Sequence, residues 1–297
     1  MSNLETILEI LKSSCIKIAN LIRDSNSLEL SKLSKEYNIS GDNVKRLDIL
    51  ANTILKNDLS KSKLVRAIGS EEEEDIFYTE NTTAPYLVCY DPLDGSSNIG
   101  VNITTGTIFA IYQYNDNVIK DGHNIVMAGY SLYGGCCQLI VAKKNIEIFQ
   151  LSRDSSGKDF FNSISKSWKI PNKGCYYAIN ESNKYIWLDN RNKIIGDILI
   201  KEGYSARWVA SMVADAHRTL IKGGLFSYPA NSKNIYGKIR LLYEAYPFAY
   251  IFKIAGGKSL NGRNNMDILD IPYPIKCHQK TPVILSSNYE MNKFLEI

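Results

Sequence analysis

Residues 91–98 read DPLDGSSN, two aspartates three apart followed by a glycine and two serines, and residues 70–75 read SEEEED. Carboxylates gathered that closely repel one another unless a cation sits between them. Hard divalent ions such as Mg²⁺ take oxygen ligands, accept one or two carboxylates each, and complete their octahedra with water and substrate phosphate. The Pro and Gly of DPLDG predict a tight turn after the strand-like YLVCY. Such a turn lets the side chains of Asp91 and Asp94 and the carbonyl of Leu93 converge. Gly95, Ser96 and Ser97 then offer N–H groups and hydroxyls at the start of a short helix, the geometry that holds a phosphoryl group beside a metal. Each motif also has a plain reading. EEEE alone is a solvated face, and DPLDG alone is a turn with capping aspartates.

Elements that could position these groups are legible around them. Ser2 and Glu5 stand at capping-box spacing, and Leu4, Ile7, Leu8, Leu11, Cys15, Ile18 and Ile22 form one apolar stripe, predicting an amphipathic helix over 2–22. The polar stretch 24–41 reads as a mobile connection, and Val44, Leu47, Leu50, Ile54 and Leu55 predict a second helix over 44–57. Strand-like segments rich in β-branched and aromatic residues follow at 86–91, 107–114, 127–143 and 146–151. Helical periodicity returns in ARWVASMVADAHRTLIKGG and KIRLLYEAYPFAYIFKIAGG, each closed by a glycine pair. The polar stretch 152–175 is the nearest thing to a boundary. The order fits two packed α/β lobes sharing a cleft.

Composition narrows the partners. The 297 residues are 44% apolar, enough for a substantial core, and 35 basic against 31 acidic residues leave a net charge of +4. That balance supports neither a nucleic-acid footprint nor a membrane-binding face. No signal-like N-terminus or 18-residue apolar run is present, so the expected address is the cytoplasm. The six cysteines lack zinc spacing, and adjacent Cys136 and Cys137 read as a buried pair rather than part of a disulfide framework. His217, within the apolar helical pattern VADAHRTL, reads as a satisfied core histidine.

The strings GDNVKRLD (41–48), SEE (70–72), YDPLDGSSNI (90–99), GTIFAIY (106–112), ARWVASMVADAHRTL (206–220), GGLFSYPAN (223–231), GKIRLLYEAYPFAYIFKIAGG (237–257) and HQKTPVIL (278–285) closely resemble the class I fructose-1,6-bisphosphatase family. DPLDG alone indicates only the wider lithium-sensitive, metal-dependent sugar phosphatase superfamily; GGLFSYPAN and GKIRLLYE narrow it. The resemblance covers almost the whole chain. It implies a layered αβαβα sandwich of two α/β lobes with mixed sheets. Residues 1–170 would carry most metal ligands, and 171–297 most sugar and distal-phosphate contacts.

By this resemblance Glu71, Asp91, Asp94 and Glu244, with the Leu93 carbonyl, ligate two or three Mg²⁺ ions, with Mn²⁺ or Zn²⁺ as substitutes. Asp48 and Glu72 share the role of base and Asp42 assists, while Glu73, Glu74 and Asp75 stay structural or solvated. Asp42 also reads as a plain N-cap after Gly41. Asp94, Gly95, Ser96 and Ser97 hold the scissile phosphate, Arg240 contacts the phosphate that leaves, and Lys238 the sugar. Lys238 and Arg240, two apart, share a face if the segment is extended. The backbone at Ser211 and Met212 meets the sugar hydroxyls. Asn180, Tyr228 and an Arg207 lent across a subunit boundary bind the distal phosphate. The partner implied is a small sugar bisphosphate, and a homotetramer is expected.

The chain departs from the family at Ser182, Asn183 and Trp208, around the distal phosphate, and at Gly100, which replaces an aspartate. Losing one neutral donor costs about 0.5–1.5 kcal/mol, so affinity there is expected to weaken without loss of turnover. Aligned with animal enzymes, the stretch before Asp42 is expected to lack the N-terminal segment that forms most of their AMP pocket, and Pro85 and Gln113 stand for a usual Lys and Arg. Inhibition by AMP is therefore not expected, and the redox-loop insertion of chloroplast forms is not found. The expected reaction is Mg²⁺-dependent hydrolysis of the 1-phosphate of fructose 1,6-bisphosphate, in gluconeogenesis. Sedoheptulose 1,7-bisphosphate hydrolysis, or a catalytically silent metabolite-binding role, are the alternatives.

Overall fold

A computed structural model describes residues 2–25, 39–116 and 118–297, with residues 39–46 described by backbone alone. The segments rich in β-branched and aromatic residues in the middle of the chain become strands of an eight-stranded sheet. Its strands are β1 (Val65–Ser70), β2 (Phe77–Tyr78), β3 (Tyr86–Asp94), β4 (Thr105–Gln113), β5 (Ile125–Tyr133), β6 (Cys137–Ala142), β7 (Ile146–Arg153) and β8 (Asp159–Trp168), in the spatial order β2-β1-β3-β4-β5-β6-β7-β8. Both faces are covered, so alternate residues enter different cores. Val88, Tyr90, Phe109, Ile111 and Met127 pack under helices α1 (Asn3–Asp24) and α2 (Ile39–Ser60). Their neighbours Leu87, Cys89, Ile108, Ala110 and Ala128 face the opposite way, into a second core.

That second core is closed by the apolar faces of α4 (Met212–Lys222) and α5 (Tyr246–Ala255), and beyond them by a second sheet. The second sheet runs β10 (Ser205–Ala206), β9 (Tyr176–Ile179), β11 (Leu225–Tyr228), β13 (Val283–Ser286), β12 (Lys258–Leu260). It alternates too: Ala178, Phe226, Val283 and Leu285 point to the shared core. Tyr177, Ile179, Leu225 and Ile284 join Ile195 and Leu199 of α3 (Arg191–Lys201), with Met291 and Phe294 of α6 (Asn288–Leu295), in a third cluster. The layers are therefore α, β, α, β, α, as expected. Phe109 is fully buried, and truncation there to Ala costs about 3–5 kcal/mol.

The first helix follows its sequence signals, with the Ser2 hydroxyl accepting from Glu5 N–H at 3.3 Å. The second begins at Ile39, so Gly41 and Asp42 lie inside it and the N-cap reading of Asp42 does not hold; residues 26–38 of the expected connection lie outside the described residues. Its buried stripe is Leu47, Ala51, Leu55 and Leu59, which turns Leu50 outward. The polar stretch 152–175 contains the edge strand β8, whose half-buried Phe161, Ser163 and Ser165 alternate with exposed Phe160, Asn162 and Ile164. Cys136 is exposed and Cys137 half-buried, correcting the buried-pair expectation, because both sit where the chain turns from β5 into β6.

Candidate active site

Strands β1 and β3 run parallel with Ser70 opposite Tyr90, and Glu71 N–H donates to the Tyr90 carbonyl at 3.2 Å. The chain ends of these two strands therefore deliver Glu71 and Asp91 side by side. The expected tight turn at DPLDG is instead a bulge: β3 continues to Asp94, and its pairing with β4 slips between Asp91 and Asp94. Pro92, which has no N–H to give the ladder, suits such a slip. Thr107 Oγ1 donates to the Pro92 carbonyl at 2.8 Å, and Leu93 N–H donates to Asp91 Oδ1 at 2.9 Å. The slip places Asp91 and Asp94 on one side of the strand.

Glu244 arrives from the C-terminal half of the chain. It lies in a single π-helical turn, Leu241–Ala245, pinned where Tyr112 OH donates to the Leu242 carbonyl at 2.5 Å. Asp91, Asp94 and Glu244 are each buried and present oxygens within 4.8 Å of one another, an arrangement that could hold a metal ion. Burial, then the charges of Glu71, Asp94 and Glu244, hold the Asp91 carboxyl well above its usual range. Burial likewise pushes Glu244 up to about 8, with Asp94 and Glu71 adding to it. Asp94 is pushed up to about 6 by burial, against the Val213 N–H and Ser211 hydroxyl that favour its charged form. Three desolvated carboxyls with oxygens within 4.8 Å of one another are a donor set that takes a divalent cation or protons.

Next to this trio, Asp48 is pushed up to about 7 by burial and by Glu72, with a hydrogen bond from Ser96 opposing. Gly95 turns the chain from β3 into the short 3₁₀ helix Ser96–Val101 at φ 73°. A Cβ there would lie 2.7 Å from Ser211 Cβ, so only glycine fits. Across the cleft, Ser211 Oγ and Val213 N–H both donate to Asp94 Oδ2, at 2.9 and 2.7 Å.

A cavity of about 480 Å³ joins these groups; it is lined by Asp48, Glu71, Glu72, Asp91, Leu93, Asp94, Glu244, Gly95, Ser96 and Ser97 on one side. Asn180, Trp208, Met212, Tyr228, Lys238 and Arg240 line the other. Arg240 Nη2 lies 2.7 Å from Glu71 Oε1, and its backbone N–H donates to Glu244 Oε2 at 2.6 Å. Ile239–Arg240 is extended, as the shared-face reading of Lys238 and Arg240 requires. Trp208 stacks on Phe226 with ring centroids 6.4 Å apart and tilts against Tyr228 at 5.8 Å.

Two expected members, Arg207 and Ser211, do not line this cavity, Ser211 instead being held against Asp94. Arg207 is exposed on the edge strand side of the second sheet, where Nη1 donates to the Ala206 carbonyl and the guanidinium covers the Tyr176 ring. The side chain of Asp42 lies outside the described residues. Glu73 is anchored rather than solvated: Asn52 Nδ2 and Lys56 Nζ each donate to it at 2.8 Å. Asn52 Oδ1 in turn accepts from Ser70 and Tyr90, bracing the strand ends that carry the acids. Asn52 escaped sequence reading, and its only signal is a buried-stripe position held by a polar residue. His217 is half-buried, with Nδ1 2.9 Å from the Tyr130 hydroxyl, as a satisfied histidine should be. Gly100 has open space where a side chain would project, so the missing aspartate has no structural explanation.

A five-layer α/β fold whose cleft gathers buried carboxylates against Lys and Arg defines a site for cations and an anionic substrate. The family model for the fructose-1,6-bisphosphatase N-terminal domain matches residues 1–161, and that for the C-terminal domain matches 170–297. The chain is 40% identical over 299 residues to the class 1 fructose-1,6-bisphosphatase of Persephonella marina, covering 99% of this chain and 92% of that one. It is also 40% identical over 310 residues to fructose-1,6-bisphosphatase 1 of Rattus norvegicus, covering 97% and 82%. The crystal structure of Leishmania major fructose-1,6-bisphosphatase in holo form superposes with a TM-score of 0.85 at 33% identity, over 97% of this chain and 92% of that one. The chain belongs to the fructose-1,6-bisphosphatase family.

Proposed function

We propose that the protein hydrolyses the 1-phosphate of fructose 1,6-bisphosphate to fructose 6-phosphate and inorganic phosphate, as gluconeogenesis requires. The carrying observation is the buried trio Asp91, Asp94 and Glu244 sharing one cavity with Ser96, Ser97, Lys238 and Arg240. Glu71, Asp91, Asp94, Glu244 and the Leu93 carbonyl would hold Mg²⁺, two or three ions, with Mn²⁺ or Zn²⁺ as substitutes. When bound, these ions offset phosphoryl charge and acidify the attacking water.

The chain's own groups do the rest. Asp48, held near pKa 7, accepts the proton of the attacking water, since a base works best when its pKa lies near the operating pH. Glu72 shares this role, Asp42 assists, and the Ser96 hydroxyl orients Asp48. The N–H groups of Gly95, Ser96 and Ser97 hold the phosphoryl oxygens. Arg240 gives up Glu71 for the departing phosphate, and Lys238, Ser211 and Met212 orient the sugar. Asn180 and Tyr228 receive the distal phosphate, with Arg207 of a neighbouring subunit completing that end in a homotetramer. On this account residues 1–170 supply most cation-holding groups and 171–297 most sugar contacts, and the enzyme acts in the cytoplasm.

Sedoheptulose 1,7-bisphosphate is the second reading, supported by one observation: the Trp208 indole, stacked on Phe226, lines the cavity where the family pattern has a tyrosine for the distal phosphate. Phosphate release measured on both bisphosphates and on fructose 6-phosphate separates the two readings. The main one requires the highest kcat/KM on fructose 1,6-bisphosphate, and no release from any would refute both. AMP should not inhibit, because Pro85 and Gln113 offer no cation; cooperative inhibition at micromolar AMP would overturn this. No helix among the described residues is long and apolar enough to cross a membrane.

A further inference from the structure

Asp215 lies in the first turn of α4, away from the cavity lining, and is fully buried. Its carboxylate nonetheless takes donors from the loop that precedes the helix and from Arg218 one turn further along it. Val209 N–H reaches both oxygens at 3.0 Å, Ala210 N–H donates to Oδ2 at 3.1 Å, and Arg218 Nη1 donates to Oδ1 at 3.0 Å. Arg218 Nη1 also donates to the Arg207 carbonyl at 3.1 Å, so one carboxylate and its arginine fasten residues 207–210. Ala210 takes φ 66°, a left-handed conformation that a residue with a Cβ adopts only when its surroundings impose it.

The residue after this strained one is Ser211, whose hydroxyl, with Val213 N–H, takes Oδ2 of Asp94. Asp94 thus has one oxygen committed to the start of α4 and the other left for a cation. The same loop is tied to the phosphate cradle, for Asn98 Nδ2 donates to the Val209 carbonyl at 3.4 Å. A shift of residues 209–211 would move Asp94, the cradle and the sugar-facing Met212 together.

We infer that Asp215 is a positioning residue of the active site: by clamping Val209 and Ala210 it sets the direction in which Asp94 presents its free oxygen to a divalent cation. This rests on the proposed phosphatase reading for its consequence in turnover, but not for its consequence in metal binding. Residues that orient metal ligands from behind typically matter by about 10–100-fold in affinity or activity.

The test measures Mn²⁺ binding by calorimetry, without substrate, alongside Mg²⁺-dependent phosphate release. Asp215→Asn, which turns an acceptor into a donor facing two N–H groups, should raise the Mn²⁺ dissociation constant and lower kcat, each about tenfold or more. Combined with Ser211→Ala the two effects should be non-additive, since both act through Asp94. A merely structural role would lower the melting temperature and leave the Mn²⁺ constant of the folded fraction unchanged, and that result overturns the inference. Should Asp215→Asn not fold, Arg218→Gln removes one bond of the same clamp and should still weaken Mn²⁺ binding by about twofold or more; unchanged binding overturns it equally. If the parent protein binds Mn²⁺ and the variants lose it, yet no sugar bisphosphate is hydrolysed, the phosphatase reading fails and the positioning role stands.

Discussion

The guanidinium of Arg240 rests 2.7 Å from the Glu71 carboxylate and 3.9 Å from that of Glu244, so one arginine from the C-terminal half sits against two acids of the cluster. Burial of one arginine among like-charged acids leaves them mutually repelling if it is removed. Arg240→Ala should therefore make the cation-free protein less stable while enlarging the stabilisation that Mg²⁺ gives. Thermal melting with and without 5–10 mM Mg²⁺ (roughly, an excess over typical Kd values) reads both effects. An equal Mg²⁺ increment in parent and variant would contradict this pairing.

Cation-free protein should lose stability as pH rises. Glu244 is raised in the folded state from 4.5 to about 8. A carboxyl raised on folding contributes stability that is complete below its unfolded pKa and is lost as pH climbs through the folded one. Melting in chelator should accordingly decline between about pH 4.5 and 8, and Mg²⁺ should remove most of that slope. A pH-independent difference between chelated and Mg²⁺-loaded protein would argue against cation binding at this trio.

His217 gives the opposite slope. Burial lowers it from 6.5 to about 4, so the folded protein keeps it neutral. Its contribution is complete above the unfolded pKa and is lost as pH falls from 6.5 through 4. His217→Gln should flatten the melting profile over that interval. A profile that parallels the parent's would assign the acid sensitivity to other groups.

Gly95→Ala should damage both stability and turnover. The left-handed φ of 73° costs about 1–2 kcal/mol for a residue with a Cβ. The added methyl also meets Ser211, the donor to Asp94. Denaturant midpoints and kcat measured on the same preparation should fall together. Full activity in a stable Gly95→Ala protein would show that the contact is not maintained in solution.

Much of this was legible in the chain. DPLDG announces a convergence of oxygens, and the apolar stripes announce the helices, because both depend on neighbours in sequence. The bulge that realises the convergence was not legible. It is set by where β4 and Thr107 meet Pro92, a register that no local composition encodes. Glu244 could be placed beside Asp94 only through family resemblance, since the two meet through tertiary packing. Asn52 showed only as a polar residue on an apolar stripe, and the Val213 N–H, a backbone group, has no residue signature.

The central claim is that buried carboxylates in one cleft gather divalent cations for hydrolysis of a sugar bisphosphate. The most direct measurement is phosphate release from fructose 1,6-bisphosphate by the parent, by Asp94→Ala and by Glu244→Gln, each with Mg²⁺ and with chelator. The account predicts release by the parent with Mg²⁺, none in chelator, and at least about a hundredfold loss in both variants while they remain folded. Turnover that persists in chelator, or that survives both substitutions, would contradict it.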